Sequence, residues 1–288
     1  MTDFTTFKLE VTDGVAVATF SRPEQMNTFS PTMMLEMLEL FDITDADDAV
    51  KAVIVTGSGR AFCAGADLAQ GGDTFNYNRR DASEQIMVNG IRRDGGGRVS
   101  LRIYQSLKPV IAAVNGAAVG VGATMQLPMD FRIAVNTARY GFVFARRGIV
   151  PEACSSWFLP RLVGMPTALD WVYSGRVFGA DEALAKGLVQ SLHAPEDLLP
   201  AAMEIARKCT EASAPVSIAL ARQMLWRGFG ATHPMEAHIM ESHALASRGK
   251  DTDTAEGVSA FKEKREAQFP NKVSSDYPDL FAPEPDFR

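Results

Sequence analysis

The stretch Ala52-Val53-Ile54-Val55-Thr56-Gly57-Ser58-Gly59-Arg60-Ala61-Phe62-Cys63-Ala64-Gly65-Ala66-Asp67-Leu68 decides how this chain is read. Its β-branched opening, Ala52 to Thr56, predicts a short buried strand. Gly57 and Gly59 break that strand, because only glycine turns through positive φ without steric cost. Phe62 and Cys63 are apolar and point toward a core. Ala64, Gly65 and Ala66 carry almost no side chain, so a ligand can touch the backbone there. Asp67 stands where a helix N-cap belongs, with Leu68 the first apolar residue after it. The expected product is a strand, a bare loop and a helix N-terminus whose unpaired N–H groups suit an anion or a developing oxyanion. The plainer reading is a turn that only redirects the chain. The loop is not a phosphate-binding P-loop, since no Lys-Ser/Thr pair follows a glycine at the required spacing, and it is not a dinucleotide fingerprint.

A second stretch repeats the layout: Lys108-Pro109-Val110-Ile111-Ala112-Ala113-Val114-Asn115-Gly116-Ala117-Ala118-Val119-Gly120-Val121-Gly122-Ala123. Val110 to Val114 reads as a buried strand, Asn115-Gly116 turns it, and small residues lead into an apolar helix. Two such units can supply two converging backbone N–H groups, the minimum for an oxyanion hole.

Composition bounds the classes. The 288 residues are 46% hydrophobic and 22% charged, ordinary for a globular chain. Lys plus Arg is 29 against 35 Asp plus Glu, a formal net charge of −6, which argues against general nucleic-acid or membrane-surface binding. Local arginines can still hold an anionic small molecule. Cys63, Cys154 and Cys209 are odd in number and widely spaced, so neither a disulfide framework nor a metal site is expected, and a reducing cytoplasm fits best. Met1-Thr2-Asp3-Phe4 lacks the regions of a signal peptide, and no apolar run reaches the ~18 residues of a membrane span.

Along the chain, Phe7 to Val11 and Val15 to Phe20 predict two strands around the hairpin signal Asp13-Gly14. Ser30-Pro31 opens a helix whose apolar face is read as Met34, Leu35, Leu38 and Phe41. Gln70 to Gly97 mixes glycine, asparagine and arginine. It reads either as a mobile flap over an acyl chain or as a solvated loop with an amphipathic helix. Helix is expected over 99–107, 154–163, 166–173 and 180–186. Strand is expected over 130–135, 139–144, 177–178 and 188–190. From Pro195 onward the period is helical throughout, over 195–210, 215–227, 234–247 and 252–266. The organisation expected is a core over 1–195 and a helical region over 196–288. The Pro- and Asp-rich tail after Phe269 shows no clear core face.

Taken together, these words resemble the enoyl-CoA hydratase/isomerase (crotonase) superfamily. The matches are Arg22-Pro23 with Asn27, Gly59 to Leu68, Lys108 to Gly116, Gly148-Ile149-Val150-Pro151, Pro160 to Gly164, Gly187-Leu188-Val189 and Glu256 to Phe261. They run from about residue 5 to 269. The resemblance implies an α/β fold, a spiral of ββα units followed by a C-terminal α-helical trimerisation region. It implies a homotrimer or homohexamer acting on a coenzyme A thioester, with no permanently bound cofactor, and chemistry that stabilises a thioester enolate. Fatty acid metabolism is the usual setting of such enzymes.

By the same resemblance, the thioester oxygen is held by the backbone N–H groups of Ala66 and Val121. Backbone donation explains why an apolar side chain at 121 is tolerable. The two-glutamate hydratases place carboxylates where this chain has Thr124 and Phe144, which puts that mechanism in doubt. Glu152, after Gly-Ile-Val-Pro, matches the single catalytic glutamate of the β,γ-to-α,β enoyl-CoA isomerases. Its plainer reading is a first-turn acid favoured by the helix dipole. Walls of Phe142, Phe144, Trp157 and Phe158 would raise its proton affinity by desolvation. Gln25, Met26, Ala64, Asp67 and Leu68 are carried over as CoA-binding residues, with Lys264 reaching the CoA phosphates from a neighbouring subunit. Arg146 and Arg147 read either as pocket lining or as a surface pair, and Cys63 and Cys154 as small hydrophobes. The activity implied is enoyl-CoA isomerisation or hydration with one glutamate. The alternatives are a catalytically weak acyl-CoA-binding relative and an acyl-CoA thioester hydrolase.

Overall fold

The computed structural model describes residues 4–69, 71–76, 87, 88 and 90–281. β1 (Phe7–Thr12) and β2 (Val15–Phe20) pair antiparallel. Asp13 and Gly14 turn between them at φ 51° and 78°, as a two-residue hairpin loop demands. Ser30 caps α1 (Pro31–Ala46) by accepting from the Met33 N–H at 3.2 Å. The buried face of α1 is Met33, Met37, Leu40 and Phe41, with Leu35 exposed. The sequence reading of this face was therefore offset by one position: Met34 and Leu38 sit only at its margin.

β3 (Ala52–Gly57) and β4 (Ala61–Cys63) follow. β5 (Met87–Val88) and β6 (Ile91–Arg92) make a small ribbon. α2 (Gly95–Gln105), β7 (Val110–Val114), β8 (Ala117–Val119), α3 (Val121–Thr124), β9 (Phe131–Val135) and β10 (Arg139–Gly141) come next. α4 (Ser155–Val163), α5 (Met165–Ser174), β11 (Val177–Gly179), α6 (Ala180–Ala185) and β12 (Ser191–His193) complete the strand-bearing part. The remaining helices are α7 (Leu198–Thr210), α8 (Pro215–Gly228), α9 (Pro234–Arg248), α10 (Thr252–Glu263) and α11 (Val273–Asp276).

A six-stranded sheet has the order β1-β2-β3-β7-β9-β12, and a four-stranded sheet the order β11-β10-β8-β4. The pairs β3–β7–β9 and β4–β8–β10 are all parallel. Each turn of the chain thus lays one strand in the first sheet, a short strand in the second, and returns through helix. That is the expected spiral. β3 and β7 are buried along almost their whole length, as parallel strands covered on both faces must be. Leu198, Ala202 and Ala206 of α7 join the same hydrophobic core as these strands, and α7 lies on β3, β7, β9 and β12.

Three expectations are corrected. Asp67 does not cap an α-helix: it accepts from the Ala69 N–H, and the next described element is a 3-10 turn at Gly71–Asp73. α2 begins at Gly95, four residues before the apolar pattern does, because Asp94 caps it. The tail does have a core face: Val273 is buried beside Val216, Ala219 and Leu220 of α8, and Ser274 donates twice to Asp48. Within the 70–97 stretch, residues 70, 77–86 and 89 lie outside the described residues, and with them most of the expected flap.

Candidate active site

Two side-chain amides, buried Asn27 and half-buried Asn115, hold the bare loops in place. The Asn27 carboxamide accepts from the Arg22 N–H at 2.9 Å and donates to the carbonyls of Ser58 and Ala61 at 3.0 and 2.8 Å. Asn115 accepts from the Gly57 N–H and donates to Gly59 O, both at 3.0 Å, and to Ala61 O at 3.3 Å. The loop after β3 is therefore tied both to the early Arg22–Asn27 loop and to the loop after β7. Side-chain bonds replace the secondary-structure partners that loop backbone lacks.

These ties leave two amides unused. Phe29 and Ala66 form an isolated parallel bridge in which Phe29 N–H donates to Gly65 O and Asp67 N–H donates to Phe29 O. Those two bonds flank Ala66, so its own N–H faces the other way and has no acceptor among the described residues. Val121 is the first residue of α3, where an N–H has no intrahelical partner. Gly120 delivers it: φ is 56° there, and the Gly120 N–H is spent on Gly141 O at 2.8 Å. The two loops touch. A Cβ added to Gly120 would lie 3.8 Å from Cα of Gly65, and one added to Gly65 would lie 3.1 Å from Val119 O. Residues 66 and 121 thus follow directly from the contact point of the two turns.

Glu152 approaches the same helix from the other end. Its Oε1 accepts from the Thr124 hydroxyl at 2.5 Å, and Thr124 is the last residue of α3. The free amide of Val121 and the hydroxyl that holds Glu152 are therefore one helical turn apart on one element. Oε2 of Glu152 rests on the first turn of α2, where any Cβ on Gly96 would overlap it. Burial pushes the Glu152 carboxyl up to about 7. The Thr124 hydrogen bond opposes that rise and the Asp94 charge adds to it.

The backbone beyond Glu152 is forced. Ala153 and Cys154 both have φ of 56°, a left-handed conformation that costs a non-glycine residue on the order of 1–3 kcal/mol. Three bonds hold the elbow: Ala153 N–H to Asp94 Oδ1 at 3.3 Å, and Ser155 N–H and hydroxyl to Glu152 O at 3.0 and 2.6 Å.

The remaining candidates separate into those the fold assembles and those it does not. Met26 O accepts from the Ala64 N–H at 3.1 Å, with Gln25 exposed beside it. Asp67 accepts from the Ala69 N–H and lies 3.7 Å from Arg22; it closes a turn rather than capping a helix. Leu68 is exposed. These five residues occupy one rim beside Ala66. Lys264 sits apart, exposed in the left-handed C-cap of α10. Arg146 and Arg147 are exposed, and Arg146 donates to Ser174 O. Burial pushes the Cys63 and Cys154 thiols up to about 12 and about 11, which keeps both protonated at neutral pH and unreactive.

The aromatic residues named as walls pack among themselves and their neighbours: Phe142 stacks on Trp171 and Phe178, Trp157 and Phe158 both meet Tyr104, and Phe158 meets Trp226. The Glu152 carboxyl itself meets Thr124 of α3 and Gly96 of α2. Sequence reading noted Thr124 only as a missing acid, and it missed Asp94 and Gly96. The signal for them was Asp94-Gly95-Gly96-Gly97, a cap residue followed by a glycine run. Glycine weakens a helix, so three in a first turn signal that something must pack against it.

Comparison with known proteins gives the family and the fold. A family model described as enoyl-CoA hydratase/isomerase matches residues 10–272. Enoyl-CoA hydratase AFT3-1 of Alternaria alternata is 40% identical over 258 residues, spanning 89% of this chain and 83% of that protein. The 1,2-epoxyphenylacetyl-CoA isomerase of Escherichia coli (strain K12) is 32% identical, over 91% and 97% respectively. A crystal structure of an enoyl-CoA hydratase from Bacillus anthracis superposes with a TM-score of 0.81 at 30% identity, covering 92% of this chain and 99% of that one.

Proposed function

The chain belongs to the enoyl-CoA hydratase/isomerase family, and on that premise we propose that it moves a proton on an enoyl-CoA thioester with Glu152 as its single acid–base group. The thioester oxygen sits between the N–H groups of Ala66 and Val121, where negative charge grows as the enolate forms. Glu152 takes a proton from the α carbon of a 3-enoyl thioester; the C–H electron pair forms a double bond to the carbonyl carbon, and the carbonyl π pair moves onto the oxygen, giving a dienolate. The same carboxyl then returns the proton to the γ carbon, giving the conjugated 2-enoyl thioester with nothing gained or lost. A proton affinity near neutrality suits a group that must both take and give. The observation that supports this reading is the bond to Glu152 from Thr124, which stands one helical turn from Val121 on α3.

CoA lies along the rim of Gln25, Met26, Ala64, Asp67 and Leu68, and Lys264 reaches its phosphates from a neighbouring copy. The helices of 196–288 join copies into a trimer or a pair of trimers. A cytoplasmic setting fits the three widely spaced cysteines. Among the described residues no helix is long and apolar enough to cross a membrane.

A second reading, hydration of a 2-enoyl thioester with Glu152 activating water, is favoured by the names of relatives such as the Alternaria alternata hydratase. Purified protein is offered 3-enoyl-CoA and 2-enoyl-CoA separately, with product followed chromatographically. Isomerised product that disappears in Glu152→Gln supports the first reading, and 3-hydroxyacyl-CoA supports the second. Release of free CoA marks a thioester hydrolase, and tight CoA binding without turnover marks a non-catalytic relative; either result refutes both.

A further inference from the structure

We propose that Asp94 is a positioning residue: its carboxylate ties the first turn of α2 to the peptide that follows Glu152, and so fixes where the Glu152 carboxyl stands. This rests on reading Glu152 as the acid–base group. Oδ1 of Asp94 accepts from the Gly97 N–H at 2.5 Å, which is an ordinary N-cap bond. It also accepts from the Ala153 N–H at 3.3 Å, 59 residues away. Capping needs only the first bond. The second leaves the helix and secures the left-handed elbow on which Glu152 is mounted. With Gly96 beneath one carboxyl oxygen and Thr124 on the other, Glu152 is gripped between α2 and α3, and Asp94 joins α2 to its backbone.

The choice of aspartate carries a second consequence. Serine, threonine or asparagine caps a helix as well, without setting a like charge beside a buried carboxyl. The Asp94 charge favours the protonated form of Glu152. The other titratable groups near Glu152 are Cys63 on β4 and Cys154 on its own elbow, both held protonated by burial. Arg93 and Arg22 act on those thiols from further out. Asp94 is thus the neighbouring anion that both shapes and charges this site.

Two variants separate positioning from capping, each read by steady-state kinetics across pH, thermal unfolding and infrared titration of the Glu152 carboxyl against Glu152→Gln. Asp94→Ser keeps the cap but is too short to reach Ala153. It should melt as wild type yet lose kcat on the order of 10²-fold, the cost of a small misplacement, with KM little changed. Asp94→Asn keeps both acceptor bonds and removes the charge. Its rate limb and its infrared titration should both move to lower pH. Wild-type kcat in Asp94→Ser together with an unmoved titration in Asp94→Asn would overturn the proposal and leave Asp94 a cap. If Glu152→Gln retains turnover, the acid–base reading fails by itself. The infrared titration still decides whether Asp94 governs the protonation of Glu152.

Discussion

The Thr124 hydroxyl donates to Oε1 of Glu152 at 2.5 Å, across a sequence separation of 28 residues. A donor on the ionised form favours that form, so this bond restrains the rise in proton affinity that burial imposes. Thr124→Val keeps the shape and removes the donor. The acid limb of the kcat/KM profile should move above its wild-type position near pH 7, the opposite direction from Asp94→Asn. A limb that stays put in Thr124→Val would show that the hydroxyl does not bear on the ionised carboxyl.

Gly96 has no side chain where the Glu152 carboxyl rests. Glycine-to-alanine in a helix ordinarily stabilises by about 0.5–1 kcal/mol. Gly96→Ala should gain nothing in thermal unfolding, because the added methyl overlaps Oε2. Turnover should fall steeply as Glu152 is displaced. Wild-type kinetics in this variant would mean the carboxyl is free to move without consequence.

Val121 is proposed to act through its backbone alone. Proline is accepted at the first position of a helix but has no N–H. Val121→Pro should therefore fold and lose ~10²–10³ in rate, the usual cost of one oxyanion donor. Val121→Gly keeps the amide and should stay near wild type. Equal losses in the two variants would assign the effect to the side chain.

The raised proton affinity of Glu152 has a sign in stability. Its folded value of about 7 lies above the ordinary 4.5, so the folded state holds the proton longer than the unfolded chain. The stabilisation is complete below pH 4.5 and is lost as pH rises through 7. Glutamine at 152 does not titrate. Between pH 4 and 8, Glu152→Gln should therefore gain on the wild type by about 3 kcal/mol in denaturant unfolding, from the two values and the energy of one pH unit. A constant gap would show that Glu152 is not buried in the folded state.

Much was legible without coordinates. The β-branched runs at Ala52–Thr56 and Val110–Val114, each ending in a glycine-bearing loop, predicted the two central strands and their bare turns, because strand and turn propensities act over a few residues. Asp13-Gly14 predicted the hairpin for the same reason. Less legible was the registry of faces. Leu35 fits an apolar stripe by spacing, yet it is exposed, since which side of α1 meets the core depends on where the sheet lies. Asp67 looked like a helix cap because cap chemistry and turn chemistry use the same side chain.

The sequence by itself determined the two central strands, the paired loops and the presence of one acidic residue after Pro151. It left unread the short strands Ala61–Cys63 and Ala117–Val119, and it placed the last strand over 188–190, where the structure has Ser191–His193. Only the tertiary structure decided what surrounds Glu152. Thr124, Gly96 and Asp94 converge on it from two helices, and the left-handed backbone of Ala153 and Cys154 is held by a bond spanning 59 residues. Local pattern encodes what a segment does alone. The proton affinity of a buried carboxyl depends on what packs against it through space, and that is settled only when distant segments meet.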